Sequence, residues 1–164
     1  MARGDMFLKL EGIEGESADD KKKNHIEIDS FSLGGSNTGS FSTATGGGTN
    51  RVNLQDVHFT KTIDKSSPPL FGALTTGKHI AKATITVRKA GGDEQKDYFT
   101  ITLTPCLVSS YNISGHNGGG MPTESFSLNF DKIVLDYKTQ TDTGALGPSI
   151  PAGWQVSSNK PVTS

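Results

Sequence analysis

Four histidines, His25, His58, His79 and His116, are the side chains best suited to bind a metal or pass a proton near neutral pH. They are scattered, with no ligand spacing among them, and His25 shares a strand face only with Glu27. No metal site is expected. Cys106 is the sole cysteine, which rules out an intrachain disulfide and a thiolate cluster, and it is expected to act as a small buried hydrophobe. The carboxylate pairs Glu14 and Glu16, and Asp19 and Asp20, fall in a glycine-punctuated stretch where solvation explains them. No Gly-x-Ser-x-Gly elbow precedes a helix. No catalytic group and no cofactor are assigned.

Two glycine-rich stretches look superficially like chemistry. Gly34 to Gly39 followed by Ser40 has the spacing of a phosphate-binding loop, but the required Lys is absent and no helix signal follows. Gly91, Gly92, Asp93 and Glu94 resemble the diguanylate cyclase signature; Gln95 replaces the usual aromatic, and an acidic hairpin turn is the expected reading. What does recur is hydroxyl-rich strand faces, with Thr84, Thr86, Thr100, Thr102, Ser125 and Ser127. Such faces favour extended backbone and stay wet without strong charge. They suit the wall of an aqueous channel, or the outside of a soluble barrel.

The elements that must carry these faces are mostly strands. Alternation marks residues 6–10, then 26–33 with a change of parity between Ile28 and Phe31 that predicts a bulge or bend. Val57 and Phe59 mark another strand. Residues 81–88 and 98–104 read as a hairpin, Pro105 predicts a bend before Leu107 to Ile113, and a second parity change predicts a bulge near Asp131. The one convincing helix spans about 67–77. Ser66 and Ser67 offer a hydroxyl N-cap, Pro68 and Pro69 a first turn, and Gly77 a stop, with Leu70, Phe71 and Leu74 on the face to be buried.

The whole reads as a single domain, residues 1–164, mainly β: a small closed antiparallel β-barrel or sandwich with one short α-helix. A Gly/Ser-rich loop occupies 34–50, and a Gly/Pro-rich tail begins at about 139, loosely ordered unless Trp154 docks. Net charge is -1, from 16 basic and 17 acidic residues, so no field draws nucleic acid or an anionic membrane. Lys21 to Lys23, just after Asp19 and Asp20, are expected to form a locally neutralised, solvated turn. No apolar run approaches the length of a membrane span, and residues 1–10 do not read as a secretory signal. The chain is expected to fold in the cytosol. Any export would follow a signal-independent route.

One resemblance runs through nearly every element. Phe7, Leu8, Lys9, Gly12, Ile13, Gly15, Glu16 and Ser17, then Glu27, Ile28, Ser30 and Ser32, closely resemble the Hcp (haemolysin-coregulated protein) family of type VI secretion. The pattern continues at Lys61, Asp64, Ser67, Pro68 and Leu70, at Val108 to Ser110, at Glu124, Ser125, Phe126, Leu128, Phe130 and Tyr137, and at Gly153, Trp154, Asn159 and Lys160. Phe31 and Leu33 depart from it, standing where the family commonly has tryptophans. The resemblance implies a phage tail-tube-like barrel that assembles as hexameric rings, stacked into the inner tube of a contractile machine and expelled with small effector proteins in the lumen. It implies no catalysis, and as partners it implies other copies, sheath, spike and effectors. On that reading Ser40, Phe41, Ser42 and Thr43 are expected at the contact between stacked rings, and Thr84, Thr86, Thr100 and Thr102 are candidates for the lumen wall. The alternative is a monomeric β-sandwich binding a carbohydrate or other ligand through its glycine-rich loops.

Overall fold

The computed structural model describes residues 6–39, 52–89 and 95–164. Chain order is β1 (Met6–Leu10), β2 (Ile26–Glu27), β3 (Ser30–Ser32), β4 (Gly35–Asn37), β5 (Val52–Leu54), β6 (Val57–Thr62), α1 (Ser67–Thr76), β7 (His79–Ile80), β8 (Ala83–Lys89), β9 (Lys96–Ser114), β10 (Thr123–Gln140), β11 (Leu146–Gln155) and β12 (Lys160–Val162). The turn expected at 91–94 lies outside the described residues, as do Ser40, Phe41, Ser42 and Thr43.

The frame is the antiparallel hairpin of β9 and β10, paired from Thr123↔Ser114 to Tyr137↔Phe99. On the free side of β10, β6 pairs with its first half and β11 with its second. On the free side of β9, β8 pairs with the first half and β7 with the stretch at Cys106 and Leu107. β1 then extends the sheet from β8, and β2 from β1. The chain next bends: Ile28 N–H donates to the Met6 carbonyl, while Asp29 N–H donates across to Thr60. β3 therefore pairs β6. One bent segment brings the sheet back on itself, so the curl is barrel-like but completed by a change of partner rather than by an unbroken ladder. The parity change between Ile28 and Phe31 has this cause.

Three other expectations meet the structure in detail. At Pro105, where a bend was expected, β9 runs on without ending, because Pro105 lies where the edge partner changes from β8 to β7 and a missing N–H breaks no ladder. The register shift in the β9–β10 ladder falls between Ser127 and Leu128, where β9 carries the extra residue Ser109, and Asp131 instead marks the exchange of β6 for β11. The tail beyond residue 139 is largely strand. Trp154 packs on the core from β11, and Gly153 is required beside it, since a Cβ there would strike the Ile133 and Val162 carbonyls of the two flanking strands.

The core is one cluster. Phe59 and Phe126, directly paired across β6 and β10, stack with ring centroids 4.9 Å apart, and both are fully buried. Each such side chain contributes roughly 1.5–3 kcal/mol by leaving water. Helix α1 adds Leu70 and Ala73 to this cluster and packs mainly on β9. Its burial differs from the predicted face: Phe71 is 55% exposed. The C-terminus is as expected, with Gly77 left-handed at φ 66° and bonded back to the Ala73 carbonyl. The N-terminus is not. Ser66 makes no side-chain cap, and instead its N–H and hydroxyl both go to Asp64 Oδ1.

Candidate functional site

The four threonines nominated from sequence do come together. Thr84 opposes Thr102 and Thr86 opposes Thr100 across β8 and β9, giving two adjacent cross-strand pairs on one face of the sheet. Lys9 of β1 continues the first row on one side and Val134 of β10 on the other. Three of these threonines are half-buried, whereas Thr86 is 4% exposed. Two positions along β8, Arg88 on the same face is held by a strap that sequence reading took for a solvated loop.

That strap, residues 12–24, is closed by its own backbone. Gly15 N–H bonds to the Asn24 carbonyl at 2.8 Å and Asn24 N–H to that of Ser17 at 2.9 Å, with Asn24 left-handed at φ 62°. Side chains hold it to the sheet. Arg88, 4% exposed, grips Asp19 with both terminal nitrogens, Nη1 to Oδ1 at 3.0 Å and Nη2 to Oδ2 at 2.8 Å. Its guanidinium lies 4.6 Å from the centroid of the Phe7 ring. The Arg88 hydrogen bonds hold the Asp19 carboxyl at about 2, below its usual range, against the opposing effect of burial. Lys22 reaches Asp97 Oδ2 at 2.7 Å. So Asp19 and Lys22 are anchors into the β8–β9 hairpin, and the expected local neutralisation of the strap's charges is corrected: its partners lie far along the chain.

A second polar assembly is sealed inside. Lys61 and Glu124 face each other across β6 and β10 with both side chains fully buried, and they form an ion pair. Lys61 Nζ also donates to Asp64 Oδ1 at 2.8 Å and to the Thr62 carbonyl at 3.1 Å. The other side of the Glu124 carboxylate accepts the Tyr111 hydroxyl, and Ser67 Oγ donates to Oε1 at 2.9 Å. Burial, and then the Glu124 hydrogen bond, push the Tyr111 phenol up to about 12. Ser67 ties the first turn of α1 to this set, Asp64 ties the residues leading into it, and the remaining bonds join β6, β9 and β10 to one another. Removing one partner would strand a buried charge, at a cost on the order of 3–5 kcal/mol. Lys61, Asp64, Ser67 and Glu124 all carried the resemblance noted above, and here they form one fastening.

Hollows gather around Trp154 and Phe130. One of about 450 Å³ is lined by Asn53, Asn129, Phe130, Trp154 and Asn159. Its Asn129 amide donates to Asp56 at 2.8 Å. A second, of about 300 Å³, includes His79, Pro105, Cys106 and Phe130. Burial raises the Cys106 thiol to about 12, so it is not poised as a nucleophile. The turn between β11 and β12 walls both hollows and is pinned by Asp131, which accepts from Ser157 N–H at 2.9 Å, Ser157 Oγ at 3.0 Å and Gln155 Nε2 at 3.2 Å. The Gln155 and Ser157 bonds hold the Asp131 carboxyl below its ordinary range. Among the described residues, no three His, Cys, Asp or Glu side chains are grouped to hold a metal ion. No helix there is long and apolar enough to cross a membrane.

Comparison with known proteins places this geometry among relatives. A family model described as "Type VI secretion system effector, Hcp" matches residues 7–137. Protein hcp1 of Pseudomonas aeruginosa is 42% identical over 156 residues, covering 94% of this chain and 96% of that one. A solved type six secretion system protein superposes with a TM-score of 0.88 at 30% identity, covering 97% of this chain and 99% of its own. Hcp1 from Salmonella typhimurium does so with a TM-score of 0.76 at 33% identity, covering 96% and 98%.

Proposed function

This chain belongs to the Hcp family of type VI secretion proteins, and from that premise we propose that it is a structural subunit of the secretion tube. Copies close into hexameric rings, the rings stack, and the resulting tube is expelled with small effector proteins in its lumen. Sheath, spike and effectors are its partners in the machine, and it leaves the cell by this route after being made in the cytosol. It works by assembly rather than by catalysis.

The observation that supports this reading best is the hydroxyl face. Thr84, Thr100 and Thr102, half-buried beside the buried Thr86, form an uncharged cluster on a sheet whose last strand, β12, has no ladder on its outer edge among the described residues. A wet, weakly charged wall lets varied cargo pass without sticking. An open strand edge gives neighbouring copies a place to join. Thr84, Thr100 and Thr102 are the proposed lumen wall, with Thr86 buried beside them. Ser40, Phe41, Ser42 and Thr43, in the segment between β4 and β5, are proposed for the contact between stacked rings.

Native mass spectrometry tests the assembly. A ring has a mass about six times that of the chain, in the closed head-to-tail arrangement that cyclic symmetry requires. A species that stays at 17.3 kDa across concentrations would return the molecule to a monomeric ligand-binding sandwich.

A further inference from the structure

Two unlike apolar features are left uncovered among the described residues. The first is a knob. Phe71, 55% exposed on α1, meets the Tyr111 ring edge-on at 6.0 Å, and Ile113, two residues further along β9, is 52% exposed. Tyr111 cannot swing away, because its hydroxyl is bound to Glu124 in the buried fastening. Phe71 is thus an aromatic ring held in place with much of its surface in water, the form that interface anchors take.

The second feature is a hollow of about 380 Å³ at the other end of the long hairpin. Ile133 and Leu135 form its floor, and Leu33, Leu54, Ala152 and Trp154 its walls. No charged side chain lines it among the described residues. It opens where the core face of the sheet runs past its cover: Ile133 is buried, Leu135 half-buried, and Tyr137 44% exposed.

Knob and hollow cannot meet within one molecule. Phe126, paired with Tyr111, and Leu135 lie on the same continuous strand, about 30 Å apart at the rise of an extended chain. We propose that Phe71 of one copy seats in the Leu33, Leu135 and Trp154 hollow of the next. Every copy supplies both halves, both are uncharged, and their difference makes the contact heterologous, so it propagates head to tail and leaves nothing uncovered once a ring closes. The inference rests on the tube reading, which requires such a contact without saying where it lies.

The test is a pair of cysteines, Phe71→Cys with Ala152→Cys, both at exposed positions, oxidised in the full-length protein. Interchain disulfides linking copies into a ladder of multiples are expected from the double variant and from neither single one; buried Cys106 stays out of the exchange. Phe71→Glu and Ala152→Glu should each fold with unchanged thermal unfolding yet lower the assembled fraction by about tenfold or more. Mixed, these two should give pairs and no rings, since one intact contact remains between them. If wild-type rings form but both Glu variants assemble normally and the cysteines never link copies, this contact is overturned while the tube reading stands. If the wild type never assembles, both are overturned.

Discussion

Asp19 shows how a side chain read as surface decoration becomes structure. With its carboxyl at about 2 in the folded protein and near 3.9 when unfolded, it stabilises the fold above about pH 4, and that contribution is lost as pH falls toward 2. Asp19→Asn should lower stability at neutral pH by on the order of 2–3 kcal/mol, because the Arg88 charge stays buried with a weaker partner. Urea titrations at pH 7 and pH 3 check this: the gap between variant and wild type should narrow at the lower pH. A constant gap would mean that the carboxylate's charge plays no part. Sequence could not show this pairing, since Asp19 and Arg88 sit in separate elements and only the curl of the sheet brings them together. For the same reason Lys61 and Glu124 could be noticed as residues of a family pattern but not as partners.

Elements were legible where their signals were local. Pro68, Pro69 and Gly77 bracket α1, and its bounds, Ser67–Thr76, agree with them to within a residue. Hydroxyl capping was misread because Asp64, two residues upstream, takes the Ser66 hydroxyl that a cap would turn toward the first helical N–H groups. β11 was missed because Gly147, Pro148, Pro151 and Gly153 are turn residues by type. They are tolerated there because β11 lies against β10, which fixes its course from Lys132↔Gln155 to Gln140↔Leu146. The base of the 34–50 loop holds a ladder, Gly35↔Leu54 to Asn37↔Val52, so its root is an arm rather than a slack connection. Because that ladder is separate from the main sheet, deleting residues 38–47 should change the melting temperature by less than about 3 °C while abolishing stacked tubes in electron micrographs. Tubes of normal length from the deleted protein would remove Ser40, Phe41, Ser42 and Thr43 from the stacking contact.

For the whole molecule, alternation and parity changes were enough to indicate a curled sheet braced by one helix, since both follow from which face of each strand meets the core. They could not say which face looks into a ring, because that is decided by neighbouring copies. Thr102 decides it: half-buried on the hydroxyl face and clear of the core, it should tolerate replacement by Arg without loss of rings, while retention of a small effector in pull-down falls several-fold. Rings that fail to form would make that face an interface instead. The β9–β10 hairpin has a mechanical consequence as well. Its 14 registered pairs bridge two strands of 19 and 18 residues that run through both halves of the molecule. A thrust directed along those strands would load the rungs side by side, in shear, and every one would have to yield together. A pull across them would unzip one rung at a time. A subunit built this way is stiffest along one axis, the property that a projectile asks of its wall.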